Sequence, residues 1–187
     1  MLNNILIKLG LVKRTNEEIT HLLYEFHNGI AKEVIKEDIN MIEEQKTEVL
    51  LFLWLTAGVP FLYNCKNENF KNILDRNIYN ILFERLKDNY DNEVFDAIYK
   101  SRRGIYNTML KPNIPNMLFQ DYLKIVNKLL FKKPFEVVSE SEELKKMGLN
   151  FDFLGGMKES IYVSNIIKYV TPAYLEGLKK ISKMTVK

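Results

Sequence analysis

Residues 49 to 65 read VLLFLWLTAGVPFLYNC and carry no charged side chain, in a chain in which 27% of the residues are charged. The stretch contains the only tryptophan, Trp54, and ends at the only cysteine, Cys65. A helix that is apolar on every face must be surrounded by other apolar groups, from lipid or from protein. The stretch is therefore a membrane element or the centre of a soluble core, and this choice decides the fold.

Two residues within the stretch limit its helical length. Pro60 lacks the backbone N–H that continues a helix, and Gly58 is a poor helix former. We therefore expect the helix to end at Gly58 or before Pro60, which leaves Val49 to Ala57 as its uninterrupted part. Because a membrane span needs about 20 residues, the sequence predicts a buried core helix and no transmembrane span.

Composition bounds the rest of the chain. Its 187 residues suit one domain, and an apolar fraction of 47% is sufficient for a core. A net charge of +3 is too small to indicate nucleic-acid binding, and a single cysteine cannot close an intramolecular disulfide. The first ten residues, MLNNILIKLG, lack the layout of a signal peptide, so we expect one cytoplasmic domain over residues 1–187. The excess of Lys, Asn and Ile over Ala is typical of a low-GC genome.

Apolar residues recur with the 3.6-residue period of an amphipathic helix along almost the whole chain. Capping residues mark several helix starts. Thr15 with Glu18 forms a capping box, Asn67 or Asn69 precedes the next apolar stripe, and Asp91 precedes another. We expect an all-α, single-domain bundle of about seven to nine helices around the central hydrophobic helix.

The remaining segments complete this bundle. Residues 1–14 form a candidate short helix that docks on the domain, and residues 118–130 carry a further apolar stripe. Thr171 and Pro172 resemble a cap followed by proline at the first helical position, so a helix is expected to begin there. Residues 135–138 are the only candidate for a strand.

Glu18 and His21 have the Glu-x-x-His spacing of di-iron helical bundles. A di-iron site needs a second such pair, and the only other histidine, His27, has Tyr24 three residues before it. We therefore expect a solvated helix face and no metal site. The sequence also presents no Ser, Cys and His arrangement typical of a nucleophilic centre, so neither catalytic residues nor a cofactor are predicted.

Arg102 falls on the apolar stripe of a helix, between Ile98 and Ile105. Because an unpaired buried charge is costly, Arg102 must meet an internal carboxylate or face a cleft that holds an anionic ligand. Asn77 lies on the apolar stripe of the preceding helix. The two side chains are therefore candidates for one polar ligand pocket between helices.

Basic residues are concentrated in one segment. Residues 99–133 contain eight basic residues against one acidic residue, a net charge of +7. The candidates for a basic surface are Arg103, Lys124, Lys128 and Lys132. Such a face is solvated, contacts an acidic protein surface, or contacts the phosphates of nucleic acid or of an anionic membrane.

Three classes of function stay open on the sequence alone. The segregated charge and the lack of a catalytic pattern favour a non-catalytic interaction or regulatory protein. It would bind a protein partner, and one form of this hypothesis is that the partner presents an acidic surface to the basic residues. The alternatives are a small-ligand-binding protein or enzyme with a pocket near Arg102, and a nucleic-acid or anionic-membrane binder that uses residues 99–133. Nucleic acid is disfavoured because the net charge is low and Arg is scarce. A homo-oligomer is compatible with all three classes.

Overall fold

The computed structural model describes residues 14–36, 42–109, 126, 128, 129 and 163–184. The predicted all-α class is confirmed for these residues, since 88% of them are helical and none forms a strand. They contain five helices, fewer than the seven to nine predicted for the whole chain. Nearly all of residues 1–14 and 118–130, and all of residues 135–138, lie outside the described residues.

The five helices follow one another in chain order. They are α1 (Asn16–Lys36), α2 (Glu43–Asn64), α3 (Glu68–Glu84), α4 (Asn92–Met109) and α5 (Thr171–Met184). Three of the predicted caps are confirmed. The N–H of Thr15 donates to Glu18 Oε2 at 2.9 Å, and Asn67 and Asp91 each accept the backbone N–H three residues on, at 3.1 Å and 2.8 Å. These bonds satisfy amide groups that a helix start leaves without partners.

The expected end of the central helix at Gly58 or before Pro60 is wrong. The helix continues through both residues because Trp54–Gly58 form a π-helical turn, in which the N–H of Val59 donates to the carbonyl five residues back. In a regular α-helix the proline ring clashes with the carbonyl of the residue four positions earlier. The wider π turn moves that carbonyl away from the ring, so the helix survives the proline.

The same arrangement precedes α5. A π-helical turn at Ile166–Val170 runs into the helix without a break, and the N–H of Thr171 donates to the carbonyl of Ile166. The prediction that Thr171 caps a new helix with Pro172 at its first position is therefore wrong. In both cases a π turn ends two residues before a proline, which places the wider backbone where the proline ring needs space.

Burial, and not length, identifies α2 as the core helix. Residues 49–55 and Ala57 are at most 5% exposed, as predicted for the buried part of the helix. Of the described helices, α2 alone is long and apolar enough to cross a membrane by length and composition, so the length argument against a span does not hold. However, 67% of its apolar window is buried against the rest of the protein, which supports a core helix.

The other four helices all pack against α2. Hydrogen bonds between side chains show how two of them, α1 and α3, run relative to each other. Asn16 near the start of α1 bonds Asn69 near the start of α3, and Asn28 further along α1 bonds Arg85 just after α3. The two helices are therefore parallel neighbours. This parallel pair forms an outer face of the bundle and encloses the groove described below.

Candidate functional site

The structure gives Arg102 an internal carboxylate, which is one of the two environments that the sequence predicted for it. Arg102 and Glu48 are both 0% exposed, and the guanidinium donates from Nε to Oε1 at 2.6 Å and from Nη2 to Oε2 at 3.1 Å. The hydroxyl of Tyr106 donates to the same Oε1 at 3.3 Å. Burial raises the pKa of Tyr106 well above its usual range, which keeps it protonated as a donor. The ion pair between Arg102 and Glu48 joins α2 to α4. Ligand binding by Arg102 stays a prediction.

Glu48 is a structurally important residue that the sequence analysis missed. It directly precedes the uncharged stretch, so it reads as the last residue of a charged flank. A signal was nevertheless present, because a buried arginine on an apolar stripe requires an acid that is buried beside it. Glu48 is the acid nearest in sequence to the uncharged stretch, and it is the partner of Arg102.

His27 is another fully buried titratable group of the core. Its Nδ1 lies 2.7 Å from the carbonyl oxygen of Leu23, which can only accept, so Nδ1 carries the proton. Its Nε2 then accepts from the hydroxyl of Tyr174 at 3.2 Å. Burial lowers the pKa of His27 to about 4, so the ring is neutral at physiological pH. His27 therefore connects α1 to α5 as a neutral hydrogen-bonding group.

An open groove of about 860 Å³ runs along the outer face of the bundle between α1 and α3. Asn77, a predicted ligand-binding residue, lines this groove, whereas Arg102 does not. The structure therefore does not bring the two predicted pocket residues together. The groove consists of a floor, where the helices touch, and two exposed rims.

The floor of the groove holds the two helices together. Asn69 donates to Asn16 Oδ1 at 3.3 Å, and Asn77 donates to the hydroxyl of Thr20 at 3.3 Å. Between and beyond these asparagines on α3 lie Ile73 and Ile81, which are 7% and 5% exposed. Polar and apolar residues thus alternate every four positions along the floor. Because the amide of Asn77 already bonds Thr20 and its own helix, its main role here is to fix the spacing of α1 and α3.

The rims are two exposed rows at helical spacing. The row on α3 is Asn72, Arg76, Asn80 and Glu84. The row on α1 is Glu17, His21 and Tyr24. Residues three or four apart share one face of a helix, so each row projects along one side of the groove.

Charge along the rims is low and mixed. Glu84 is paired with Lys87 at 2.7 Å, whereas Arg76 makes no ion pair with any described residue. His21 of the predicted Glu-x-x-His pair faces the groove, while Glu18 uses its carboxylate in the helix cap. Among the described residues, no group of three or more His, Cys, Asp or Glu could hold a metal ion.

The predicted basic surface is described only in part. Arg103 is exposed on α4, and Lys128 is helical and half-buried. Lys124 and Lys132 lie outside the described residues. The role of this surface therefore stays a prediction.

Sequence reasoning also missed the rim residues of α3. Their signal is the recurrence of asparagine at positions 69, 72, 77 and 80 within one helix, where asparagine is an unfavourable residue. In the sequence alone, Asn72 and Asn80 look like ordinary exposed residues of a helix, because the position of α1 is not known. The neighbouring helix converts them into the edge of a groove.

The chemistry of the groove follows from these side chains. Two exposed amides can each donate and accept hydrogen bonds, Arg76 supplies a cation, and Tyr24 supplies a partly exposed ring. Comparison with protein-family models, curated proteins and solved structures finds no match to this chain. The functional proposal therefore rests on the geometry of the groove.

Proposed function

We propose that this protein is a non-catalytic interaction protein whose protein partner binds the groove between α1 and α3. The observation that carries the proposal is the shape of the groove. Its lining on α3 extends from Asn69 to Glu84, which corresponds to about 22 Å at a rise of 1.5 Å per residue. Small ligands favour concave pockets that bury most of their surface, whereas a long open groove suits a polypeptide segment.

The placement of the perturbed titratable groups supports a binding role over a catalytic one. Groups with strongly shifted pKa values often mark catalytic centres. In the described part of the chain these groups are His27, Tyr106 and Tyr174, whose pKa values burial shifts. All three are fully buried and bonded to other core residues, and none of them lines the groove.

Filling the groove tests the proposal. Asn80→Trp places a large side chain on the groove rim at an exposed position, and Asp75→Trp is the matched control because Asp75 is exposed on the same helix but does not line the groove. Each tagged variant and the wild type would be expressed in the native host, isolated with bound proteins, and compared by quantitative mass spectrometry. Circular dichroism would establish that both variants fold.

The expected result is a partner that the wild type and Asp75→Trp retain and that Asn80→Trp loses. A partner retained equally by all three proteins would place the interaction elsewhere and overturn the groove as its site. Capture of nothing above background by the wild type would count against an interaction protein altogether.

A small-ligand-binding protein is the second candidate, because the groove volume lies within the range of about 300–1,000 Å³ that is typical of ligand pockets. Native mass spectrometry of the protein purified from its host separates the two candidates. A retained small molecule adds only its own mass to the chain, whereas a partner adds the mass of a second polypeptide. The first result would replace the partner hypothesis.

A further inference from the structure

We propose that the occupant of the groove is an extended peptide segment of the partner, with an acidic side chain that pairs with Arg76. This inference rests on the proposed function, because it names the kind of partner segment that the groove accepts. It follows from the spacing of the rim, from its amide groups, and from the charge at its centre.

The spacing of the α3 rim matches an extended chain. Asn72, Arg76 and Asn80 are four residues apart, which places successive side chains about 6 Å apart along the helix. Two residues of an extended strand span about 6.6–6.8 Å. Successive rim residues can therefore contact every second residue of a peptide that lies along the groove.

The rim amides suit recognition of a peptide backbone. An asparagine side chain carries one acceptor oxygen and two donor hydrogens, which complement the C=O and N–H of a main chain. Asn72 and Asn80 are exposed, and their side chains make no hydrogen bond with any described residue. By contrast, the floor amides of Asn69 and Asn77 hold the two helices together. The rim thus has free bonding capacity on a fixed support.

The charge of the rim selects an acidic side chain at its centre. Arg76 is exposed between the two amides and forms no ion pair within the described residues. A guanidinium binds a carboxylate through two parallel hydrogen bonds, and charge-assisted bonds of this kind are stronger than neutral ones. An Asp or Glu of the peptide opposite Arg76 therefore fixes the register of the segment.

Two other occupants fit the groove poorly. An amphipathic helix needs apolar anchoring sites, and the apolar floor residues Ile73 and Ile81 are only 7% and 5% exposed. A nucleic-acid backbone needs several cations, whereas the rims contain Arg76 as the one arginine or lysine and also carry two acids, Glu17 and Glu84. Both comparisons favour an extended peptide with a single acidic side chain opposite Arg76.

Selection from a random nonapeptide library displayed on phage, against the full-length protein, tests the inference. Selected peptides would then be synthesised with a fluorescent label and titrated by anisotropy against the wild type and folded variants. Arg76→Glu removes the central cation, and Asn72→Ala and Asn80→Ala remove the rim amides. Lys179→Glu is the matched control, because Lys179 is an exposed cation on α5 that does not line the groove.

We expect the selected peptides to share an acidic residue at one fixed position. Arg76→Glu should weaken their binding roughly tenfold or more, as expected for loss of a charge-assisted hydrogen bond, whereas Lys179→Glu should leave it unchanged. Replacing the shared acid by Lys should restore binding to Arg76→Glu, which a merely structural effect would not do. Each asparagine variant should weaken binding by a smaller factor.

Three outcomes would overturn the inference. They are selection of no peptide, selection of peptides without a shared acid, and binding that Arg76→Glu does not weaken. If one of these occurs while Asn80→Trp still removes a captured partner, the partner uses the groove in another conformation and the proposed function stands. If Asn80→Trp also leaves partner capture intact, both proposals fail.

Discussion

The indole ring of Trp54 covers the backbone of Gly58, one turn further along α2. A Cβ atom on Gly58 would lie 2.3 Å from Cε3 of the ring and 2.9 Å from Cζ3. The ring has little freedom to move, because it is 2% exposed and its Nε1 donates to the hydroxyl of Tyr99 at 2.9 Å. Gly58 therefore makes space for the tryptophan inside the central helix, where the sequence had suggested a helix end.

Gly58→Ala should lower the free energy of unfolding by about 1–3 kcal/mol, the usual cost of an overpacked core. This loss runs against helix propensity, which favours Ala over Gly by about 1 kcal/mol. Gly29→Ala is the matched control, because Gly29 is exposed and a Cβ atom there meets nothing within 4 Å. Urea denaturation should show the control gaining stability and Gly58→Ala losing it. A gain in both variants would contradict the close approach of Trp54.

Gly177 has the equivalent role where α5 crosses α1. A Cβ atom there would lie 2.3 Å from Cε2 of Phe26, whose ring stacks on Tyr174 with centroids 5.6 Å apart. Gly177→Ala should therefore lower the melting temperature, and adding Phe26→Leu should recover part of the loss beyond the effect of Phe26→Leu alone. A strictly additive double-mutant cycle would mean that the two residues do not touch.

The sequence was sufficient to predict the parts of the fold that depend on local chemistry. The buried position of Trp54 and the caps at Thr15 and Asp91 follow from patterning and desolvation costs, which also limited Arg102 to an internal carboxylate or a ligand-binding cleft. Continuity through Pro60 could not be predicted, because proline usually ends a helix and π turns that accommodate it are rare. The helices that contact this π turn, α4 and α5, are far from it in the sequence.

The groove could not be predicted from the sequence, for a related reason. Asn72 and Asn80 are ordinary exposed residues of an amphipathic helix until another helix is placed beside them. The parallel arrangement of α1 and α3 depends on the bond from Asn69 to Asn16 and on others like it, which join residues far apart in the chain. Asn77 was found because it interrupts an apolar stripe, and its contact with α1 was not part of that signal.

Removing Glu48 should destabilise the protein strongly. Glu48→Leu leaves the guanidinium of Arg102 buried without its carboxylate, which costs about 3–5 kcal/mol in comparable cases. The double variant Glu48→Leu/Arg102→Met should recover most of this loss, because apolar residues of similar size can replace a buried ion pair. Urea denaturation measures both values. As a control, Asp96→Ala breaks the exposed pair with Lys100 and should change stability little.

The double variant also separates structure from ligand binding at Arg102. A folded Glu48→Leu/Arg102→Met protein that keeps its partner would show that Arg102 acts only within the core. Loss of partner binding by this folded variant, with the groove unchanged, would instead support a pocket at Arg102.

Stability should fall as the pH decreases from about 6.5 toward 4, because of His27. The folded protein holds His27 neutral with a pKa of about 4, whereas in the unfolded chain His27 binds a proton near its ordinary pKa of 6.5. The unfolded state therefore binds more protons in this window, and unfolding becomes easier at lower pH. The full shift corresponds to roughly 3 kcal/mol.

Urea denaturation at several pH values checks this prediction in the wild type and in His27→Gln, with His21→Gln as the control at an exposed histidine. The slope of stability against pH between 4 and 6.5 should decrease in His27→Gln and persist in His21→Gln. An unchanged slope in His27→Gln would assign the pH dependence to other groups.

The fluorescence of Trp54 tests the buried central helix most directly, because it is the only tryptophan in the chain. In buffer without detergent or lipid, the folded protein should show a blue-shifted emission that iodide does not quench and that vesicles do not alter. Urea should shift the emission to the red as the core unfolds. Red-shifted and quenched emission from the folded protein, or a blue shift that appears only with vesicles, would contradict the account. In that case α2 would be a surface or membrane element, and the groove between α1 and α3 would lose the core that supports it.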